Sequence, residues 1–185
     1  MLAIVQKDWT SMSPERQISM LKKLKPDMLC NFVRKLDVDN TDMSVIRWIA
    51  ARKELDLGTA LTLFFAFHPR RWNLLPRNAF PENSREVHAV LDVLCQRINC
   101  GFYLPIAARR MRDPAQVGDW LAHQREDAKI GRRGRWVFDA KILAPVIADA
   151  GLAKNRKPKA LGGQRHGFIQ GLFTPLFVPG RQSSS

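Results

Sequence analysis

A histidine with acidic neighbours is the first candidate for chemistry in this sequence. Asp119, His123 and either Glu126 or Asp127 lie at i, i+4 and i+7 or i+8, a spacing that places them on one helix face. Carboxylates and an imidazole so arranged could hold a divalent metal or transfer a proton. A solvated polar face is the simpler explanation, because no fourth ligand follows and Arg125 lies nearby. We therefore expect no metal and no cofactor.

Two further histidines have polar neighbours. His88 and Asp92 form another i, i+4 pair, which we interpret as a pair on a helix surface rather than a catalytic dyad. His68 continues the apolar stripe of a predicted helix, and Arg70 and Arg71 follow it directly. We expect His68 to be partly buried at the helix end, where a role in an active site is conceivable.

Clusters of basic residues give the strongest functional signal in the sequence. A guanidinium binds phosphate through a planar fork of donors, and Trp136 and Phe102 lie near these clusters for stacking. Solubilising charge is the alternative explanation. The residues that we predict to bind an anion are Arg109, Arg110, Arg112, Lys129, Arg132, Arg133, Arg135, Lys154, Arg156, Lys157 and Lys159.

The charge of the chain is distributed unevenly. The formal net charge is +13, and residues 1–100 hold 15 Lys and Arg against 11 Asp and Glu. Residues 101–185 hold 15 against 6. This excess predicts attraction to an anionic partner, and for that reason we favour binding over simple solubilisation.

The cysteines and the apolar segments exclude several classes of protein. Three cysteines do not define a disulfide framework, and Cys95 and Cys100 lack a second pair of ligands for a zinc site. The longest apolar patch, 61–67, is too short for a membrane span. The first residues lack the pattern of a secretory signal. We expect a cytoplasmic protein without a membrane span.

Apolar residues recur at helical spacing along most of the chain, which predicts a mainly α fold. Capping residues and prolines should start helices at Ser13–Pro14, Pro26, Asp56, Ser84 and Asp113–Pro114. A further short helix should end near Ala51, and glycines should end two helices at Gly101 and Gly131. The last amphipathic element should run from Trp136 to Ala150.

The helix that begins after Asp56 should lie at the centre of the core. Asp56 can cap the amides of the first turn, Gly58 and Thr59 follow in that turn, and Phe64 lies on an apolar stripe. Pro69 should end this helix. A helix that is apolar around most of its circumference is buried on most sides.

The composition suggests three parts. Residues 1–100 should form a compact multi-helix scaffold domain, and 101–151 a basic helical extension packed on it. Residues 152–185 should form a basic, Gly/Pro-rich and partly disordered tail. Apolar residues in 168–178 should nevertheless dock on the domain or on a partner, because exposed apolar patches promote aggregation.

The segment from about 43 to 69 is similar to a family of bacterial proteins classed as a domain of unknown function. A tryptophan helix precedes an Asp-x-Gly-Thr-Ala-Leu helix start and then an aromatic-rich helix. The matching residues are Trp48, Asp56, Gly58, Thr59, Ala60, Leu61 and Phe64. The resemblance implies a helical fold and a bacterial origin, and it implies no activity.

These observations predict a protein that binds an anionic macromolecule without catalysing a reaction, with nucleic acid as the first choice. A first alternative is a small immunity or adaptor protein that binds an acidic toxin or effector protein. A second alternative is a small enzyme that uses His68 or His123. The oligomeric state stays open.

Overall fold

A computed structural model describes residues 9–76, 79, 81–106, 111 and 113–155, with the backbone alone at 10 and 149–155. The fold of this part is mainly α, as predicted. Its α-helices are α1 Pro14–Leu21, α2 Pro26–Val33, α3 Met43–Ala50, α4 Leu57–Ala66, α5 Arg85–Asn99, α6 Ala115–Lys129 and α7 Ala140–Asn155. Short 3-10 helices lie at Trp9–Ser11, Pro69–Arg71 and Glu82–Ser84. Pairing of β type within the described ranges is limited to an isolated bridge between Asp56 and Leu104.

Side chains cap four of the described helices, the last of them through Asp139, whose carboxylate accepts from the amide of Lys141 at 2.8 Å. The Ser13 hydroxyl accepts from the amide of Arg16 at 3.5 Å, and the Asp56 carboxylate accepts from the amide of Thr59 at 2.8 Å. Both caps were predicted. Asp42 caps α3 in the same way, a cap that the sequence analysis missed. Gly101 has a positive φ of 71° and follows the end of α5, where a glycine is the least strained residue.

Two predicted side-chain caps, at Ser84 and Asp113, do not form. Ser84 precedes α5, but its hydroxyl donates to the carbonyl of Pro81 at 2.7 Å and does not accept from the helix. Asp113 accepts instead from the side-chain amide of Gln116 at 2.9 Å, and α6 has no side-chain cap. In both places a local hydrogen bond holds the side chain, and its oxygen does not accept from the amides of the first helical turn.

The last helix begins at Ala140 rather than at Trp136. The preceding stretch is not helical, because side chains of α5 and α6 satisfy its backbone. Gln124 bonds both the amide and the carbonyl of Phe138 at 2.8 Å, and Asn99 bonds the carbonyl of Val137 at 2.7 Å. Trp136 and Phe138 belong to this irregular segment, and both side chains are buried in the core. Pro145 lies inside α7.

Phe64 lies at the centre of the core, as predicted. Its ring is fully buried and makes edge-to-face contacts with Trp120, Trp136 and Phe138, at centroid distances of 5.6, 6.1 and 4.9 Å. These three aromatic residues belong to the part of the chain after residue 100. The helices before residue 100 and the segment after it therefore share one hydrophobic core around α4.

A buried ionic network fixes the start of α4. The carboxylate of Asp56 has no exposed surface, and one nitrogen of Arg34 bonds its two oxygens at 3.1 and 3.2 Å. Thr59 donates its hydroxyl to the same carboxylate at 2.9 Å and accepts from Nε of Arg34 at 2.9 Å. The network joins α2 to α4 and satisfies the buried charge, which would otherwise be very costly.

Two further predictions concern the cysteines and a membrane span. Cys30 and Cys95 are buried, Cys100 is exposed, and all three are free thiols. Burial raises the pKa of the Cys95 thiol to about 11. Within the described ranges, no helix combines the length and the apolar character that crossing a bilayer requires. The predicted tail from 156 onward lies outside the described residues.

Candidate functional site

Two adjoining clefts separate the Pro69–Arg71 turn from helix α6. The larger, which we call the Arg70 cleft, has a volume of about 590 Å³ and is lined by Phe65, His68, Pro69, Arg70, Arg71, Gln116, Asp119 and Trp120. The smaller, the Arg132 cleft, has a volume of about 300 Å³ and is lined by Arg70, Asn73, Leu74, Trp120, His123, Gln124, Asp127 and Arg132. Arg70 and Trp120 line both clefts, so the two form one continuous site.

The end of helix α4 creates the first wall of this site. His68 adopts the left-handed backbone conformation, with φ 49° and ψ 53°, and Pro69 prevents the helix from continuing. The turn exposes Arg70 and Arg71 to solvent. His68 is also exposed, so the prediction that it is partly buried is wrong. The backbone reversal, rather than the apolar stripe of the helix, decides its position.

Helix α6 supplies the second wall. Trp120 is buried against Phe64 and Phe65, with ring centroids 5.6 and 5.7 Å away, and this contact holds the helix on the core. Asp119 and Gln116 are exposed on the same helix and face the cleft. The Asp119 carboxylate forms no hydrogen bond or ion pair with the residues that the structure describes.

His123 connects the two walls. A guanidinium nitrogen of Arg70 contacts Nδ1 of His123, and the same Nδ1 lies 2.7 Å from the carbonyl oxygen of Asp119. Arginine only donates, so Nδ1 must be unprotonated to accept from Arg70, whereas bonding to the carbonyl requires a proton there. One ring nitrogen thus serves one partner at a time. His68, which was considered separately from Asp119 and His123, borders the same site as these two residues.

The loop after α6 is held to the first wall by Asn73. The amide of Arg135 donates to the carbonyl of Asn73 at 2.8 Å, and the amide of Trp136 donates to its side-chain oxygen at 2.8 Å. A Cβ on Gly134 would lie 2.1 Å from the Asn73 side chain, so any larger residue would have to displace that side chain. This contact, which we call the Asn73 junction, brings Arg132 beside the turn that carries Arg70, and both residues line the smaller cleft.

Within the cluster 129–135, the predicted anion-binding residues have different roles. Lys129 pairs with Glu126 at 2.8 Å, and Arg132 pairs with Asp127 at 2.9 Å, both at the surface. Arg133 is exposed and forms no ion pair with the described residues. Exposed pairs are weak, so Lys129 and Arg132 can exchange their partners for a phosphate at little cost.

The side chain of Arg135 is largely buried beside the Asn73 junction, where it pairs with Asp92. Its Nε and Nη2 bond the two oxygens of Asp92 at 2.8 and 2.5 Å, and the indole nitrogen of Trp136 donates to the same carboxylate at 2.8 Å. The hydrogen bond to Asp92 raises the pKa of Arg135. Arg132, Arg133 and Arg135 lie in the loop that follows Gly131, whereas Lys129 ends helix α6. Arg135, however, fixes this loop to α5.

His88 is not part of a surface pair, which corrects the prediction. Only 3% of its surface is exposed, and its ring lies between Trp72 and Trp136, at centroid distances of 5.4 and 5.8 Å. Burial is the main cause that lowers the pKa of His88, and the positive charge of Arg135 adds to it. His88 therefore lies in a layer of aromatic rings with Trp72 and Trp136. Trp136 in turn bonds Asp92, the partner of Arg135.

Several predicted residues lie outside the described part of the chain. They are Arg109, Arg110, Arg112, Arg156, Lys157 and Lys159. Lys154 lies in α7, where the structure describes the backbone only. Among the residues that are described, no group of three or more His, Cys, Asp or Glu side chains could hold a metal ion.

Comparisons with family models, with curated proteins and with solved structures find no match to this chain. The resemblance of 43–69 to a bacterial family of unknown function therefore stays a prediction, as does the bacterial origin that it implies.

Proposed function

We propose that this protein binds nucleic acid through the two adjoining clefts and catalyses no reaction on it. One observation carries the proposal. The Asn73 junction brings exposed arginines that are distant in the chain to the two adjoining clefts, Arg70 and Arg71 from the turn after α4 and Arg132 from the loop after α6. Clustered guanidinium groups around a groove are a typical electrostatic footprint for a phosphate backbone.

The net charge supports the same partner. A charge of +13 attracts polyanions from a distance and accelerates their association. The excess of basic residues falls after residue 100, which is also the part of the chain that contributes α6 and the 132–135 loop. We place the protein in the cytoplasm in this proposal, because its three cysteines are free, which is typical of a reducing compartment.

Electrophoretic retardation of labelled nucleic acid tests the proposal. Purified protein should retard short single-stranded and double-stranded fragments at low salt and release them as the salt concentration rises, because binding displaces condensed counterions. A protein that retards neither fragment at low ionic strength would contradict the proposal.

An acidic protein is the second candidate partner, whether a toxin or an effector that this chain would neutralise or recruit. Leu74 and Leu75 are exposed at 47% and 41%, and Leu74 lines the Arg132 cleft beside the arginines. Arginines around exposed apolar residues are typical of protein interfaces. Replacing both leucines by serine should weaken binding of an acidic protein and leave retardation of nucleic acid unchanged.

The enzyme alternative depends on His68 and His123, which border the Arg70 cleft and the Arg132 cleft respectively. The described residues that line these clefts include no Ser, Thr or Cys that either histidine could activate. Changing each histidine singly to glutamine should leave nucleic-acid binding intact within a few-fold. Loss of binding in one folded variant would favour the enzyme alternative.

A further inference from the structure

The Arg70 cleft combines two kinds of charge that the proposed function does not by itself explain. Arg70 and Arg71 come from the turn after α4, whereas Asp119 comes from α6. A surface that only attracted phosphate would gain nothing from an acidic side chain. Asp119 has no basic partner among the described residues, and it lines the cleft from an exposed position on α6. A role toward a ligand explains its position.

The chemistry of the cleft defines what such a ligand must carry. Guanidinium groups recognise an anion, and an ionised carboxylate accepts hydrogen bonds only. The ligand therefore needs an anionic group and a separate set of hydrogen-bond donors. Phe65 and Trp120 supply an apolar aromatic wall between the two, which suits a flat ring. The volume of about 590 Å³ lies in the range of small-molecule sites.

A nucleotide meets these requirements, and among the bases guanine meets them best. Its Watson–Crick edge presents two parallel donors, N1–H and the 2-amino group, which match the two oxygens of a carboxylate. Thymine and uracil present a single donor between two carbonyl oxygens, which a carboxylate repels. A base can reach Asp119 only when it is unpaired, because a duplex hides this edge inside the helix.

We propose that the Arg70 cleft holds one unpaired guanine nucleotide of a single strand, with its phosphate against Arg70 and Arg71 and its base edge against Asp119. The inference rests on the proposed function, since it specifies the form of nucleic acid and the base that the same site takes. Arg132, which lines the smaller cleft, then holds the phosphate of a neighbouring nucleotide.

Fluorescence anisotropy with labelled oligonucleotides tests this inference. The probes are an oligothymidylate of about 12 nucleotides, the same strand with one central guanosine, and a duplex of equal length. Wild-type protein should bind the guanosine strand about tenfold more tightly than the thymidine strand, because one bidentate contact discriminates by about that factor. The duplex should bind more weakly than the guanosine strand.

Two variants separate the base contact from the phosphate contact. Asp119→Asn should abolish the preference for guanosine without weakening binding of the thymidine strand, because it removes a negative charge near the phosphates. Arg70→Gln should weaken binding of both strands. Arg125→Gln is the matched control, since Arg125 is exposed on the same helix and lines neither cleft. It should keep the tenfold preference.

The outcomes distinguish a failure of this inference from a failure of the proposed function. Equal binding of both single strands by wild-type protein, or a preference that survives Asp119→Asn, would overturn this inference and leave nucleic-acid binding standing. Failure to bind any of the three probes at low salt would overturn both the inference and the proposed function. Asp119 is exposed, and circular dichroism of the variant should match that of the wild type.

Discussion

Arg34 and Arg70 are both arginines near an end of helix α4, and the fold uses them in opposite ways. Arg34 binds the fully buried Asp56 at the start of the helix, and its side chain is only 15% exposed. Arg70 lies in the turn after the helix, exposed, where it contacts His123 and no carboxylate in the described part of the chain. A largely buried guanidinium that is paired with a carboxylate stabilises the fold, whereas an exposed guanidinium is available to a ligand.

We expect the largest effect on stability in the hydrophobic core around α4. Phe64→Ala should lower the free energy of unfolding by about 3–5 kcal/mol, because it leaves a cavity between Trp120, Trp136 and Phe138. Phe102→Ala, at an aromatic residue that is 37% exposed, is the control and should cost about 1 kcal/mol or less. Equal losses in urea denaturation would show that α4 is not central.

The ionic network at the start of α4 should give the next largest effect. Asp56→Ala should cost about 3 kcal/mol, because it leaves Arg34 without its buried partner. Loss of the helix cap alone would cost about 1 kcal/mol. A measured loss near the smaller figure would mean that Arg34 finds water, and that the contrast with Arg70 is weaker than we describe.

Loss of the ion pair between Arg135 and Asp92, which lies beside the Asn73 junction, should have an intermediate effect on stability. Arg135→Gln should destabilise the protein by about 1–2 kcal/mol, a figure reduced because the Asp92 side chain is 42% exposed. Arg132→Gln, which breaks only a surface pair, should change stability by less than about 0.5 kcal/mol. Similar effects of the two variants would contradict the division into structural and ligand-facing arginines.

Protonation of His88 should give a smaller, pH-dependent effect. Burial lowers the pKa of His88 in the folded state, so the unfolded state takes up the proton first as the pH falls. Its contribution to stability should be complete above about pH 6.5 and should decrease below that value. The loss of stability between about pH 7 and pH 5 should be smaller in His88→Gln. Identical pH dependence in the two proteins would contradict the buried setting of His88.

Local signals predicted much of the scaffold. Ser13, Asp56 and Gly101 end or begin helices through contacts within a few residues, and such contacts are visible in the sequence. The apolar spacing that ends at Phe65 was sufficient to place Phe64 in the core. The irregular segment around Trp136 could not be predicted, because side chains from the distant helices α5 and α6 satisfy its backbone.

The site was predicted only in pieces. The sequence shows Arg70 and Arg71 after His68, and it shows Asp119 and His123 one turn apart, but nothing in the spacing indicates that these segments meet. Their approach depends on Asn73, Gly134 and the aromatic packing of Trp120, all of which act between distant parts of the chain. Gln116 and Asn73 gave no signal, because isolated amides are common on helices and in loops.

The salt dependence of nucleic-acid binding tests the central claim most directly. A variant in which Arg70, Arg71 and Arg132 are changed to glutamine should be compared with one in which Lys22, Lys23 and Lys25 are changed. Both variants lose the same charge, and the three lysines are exposed and line neither cleft. The arginine variant should flatten the slope of log affinity against log salt by up to about three units, and the lysine variant should leave it nearly unchanged. Equal slopes in the two variants would contradict binding through the clefts.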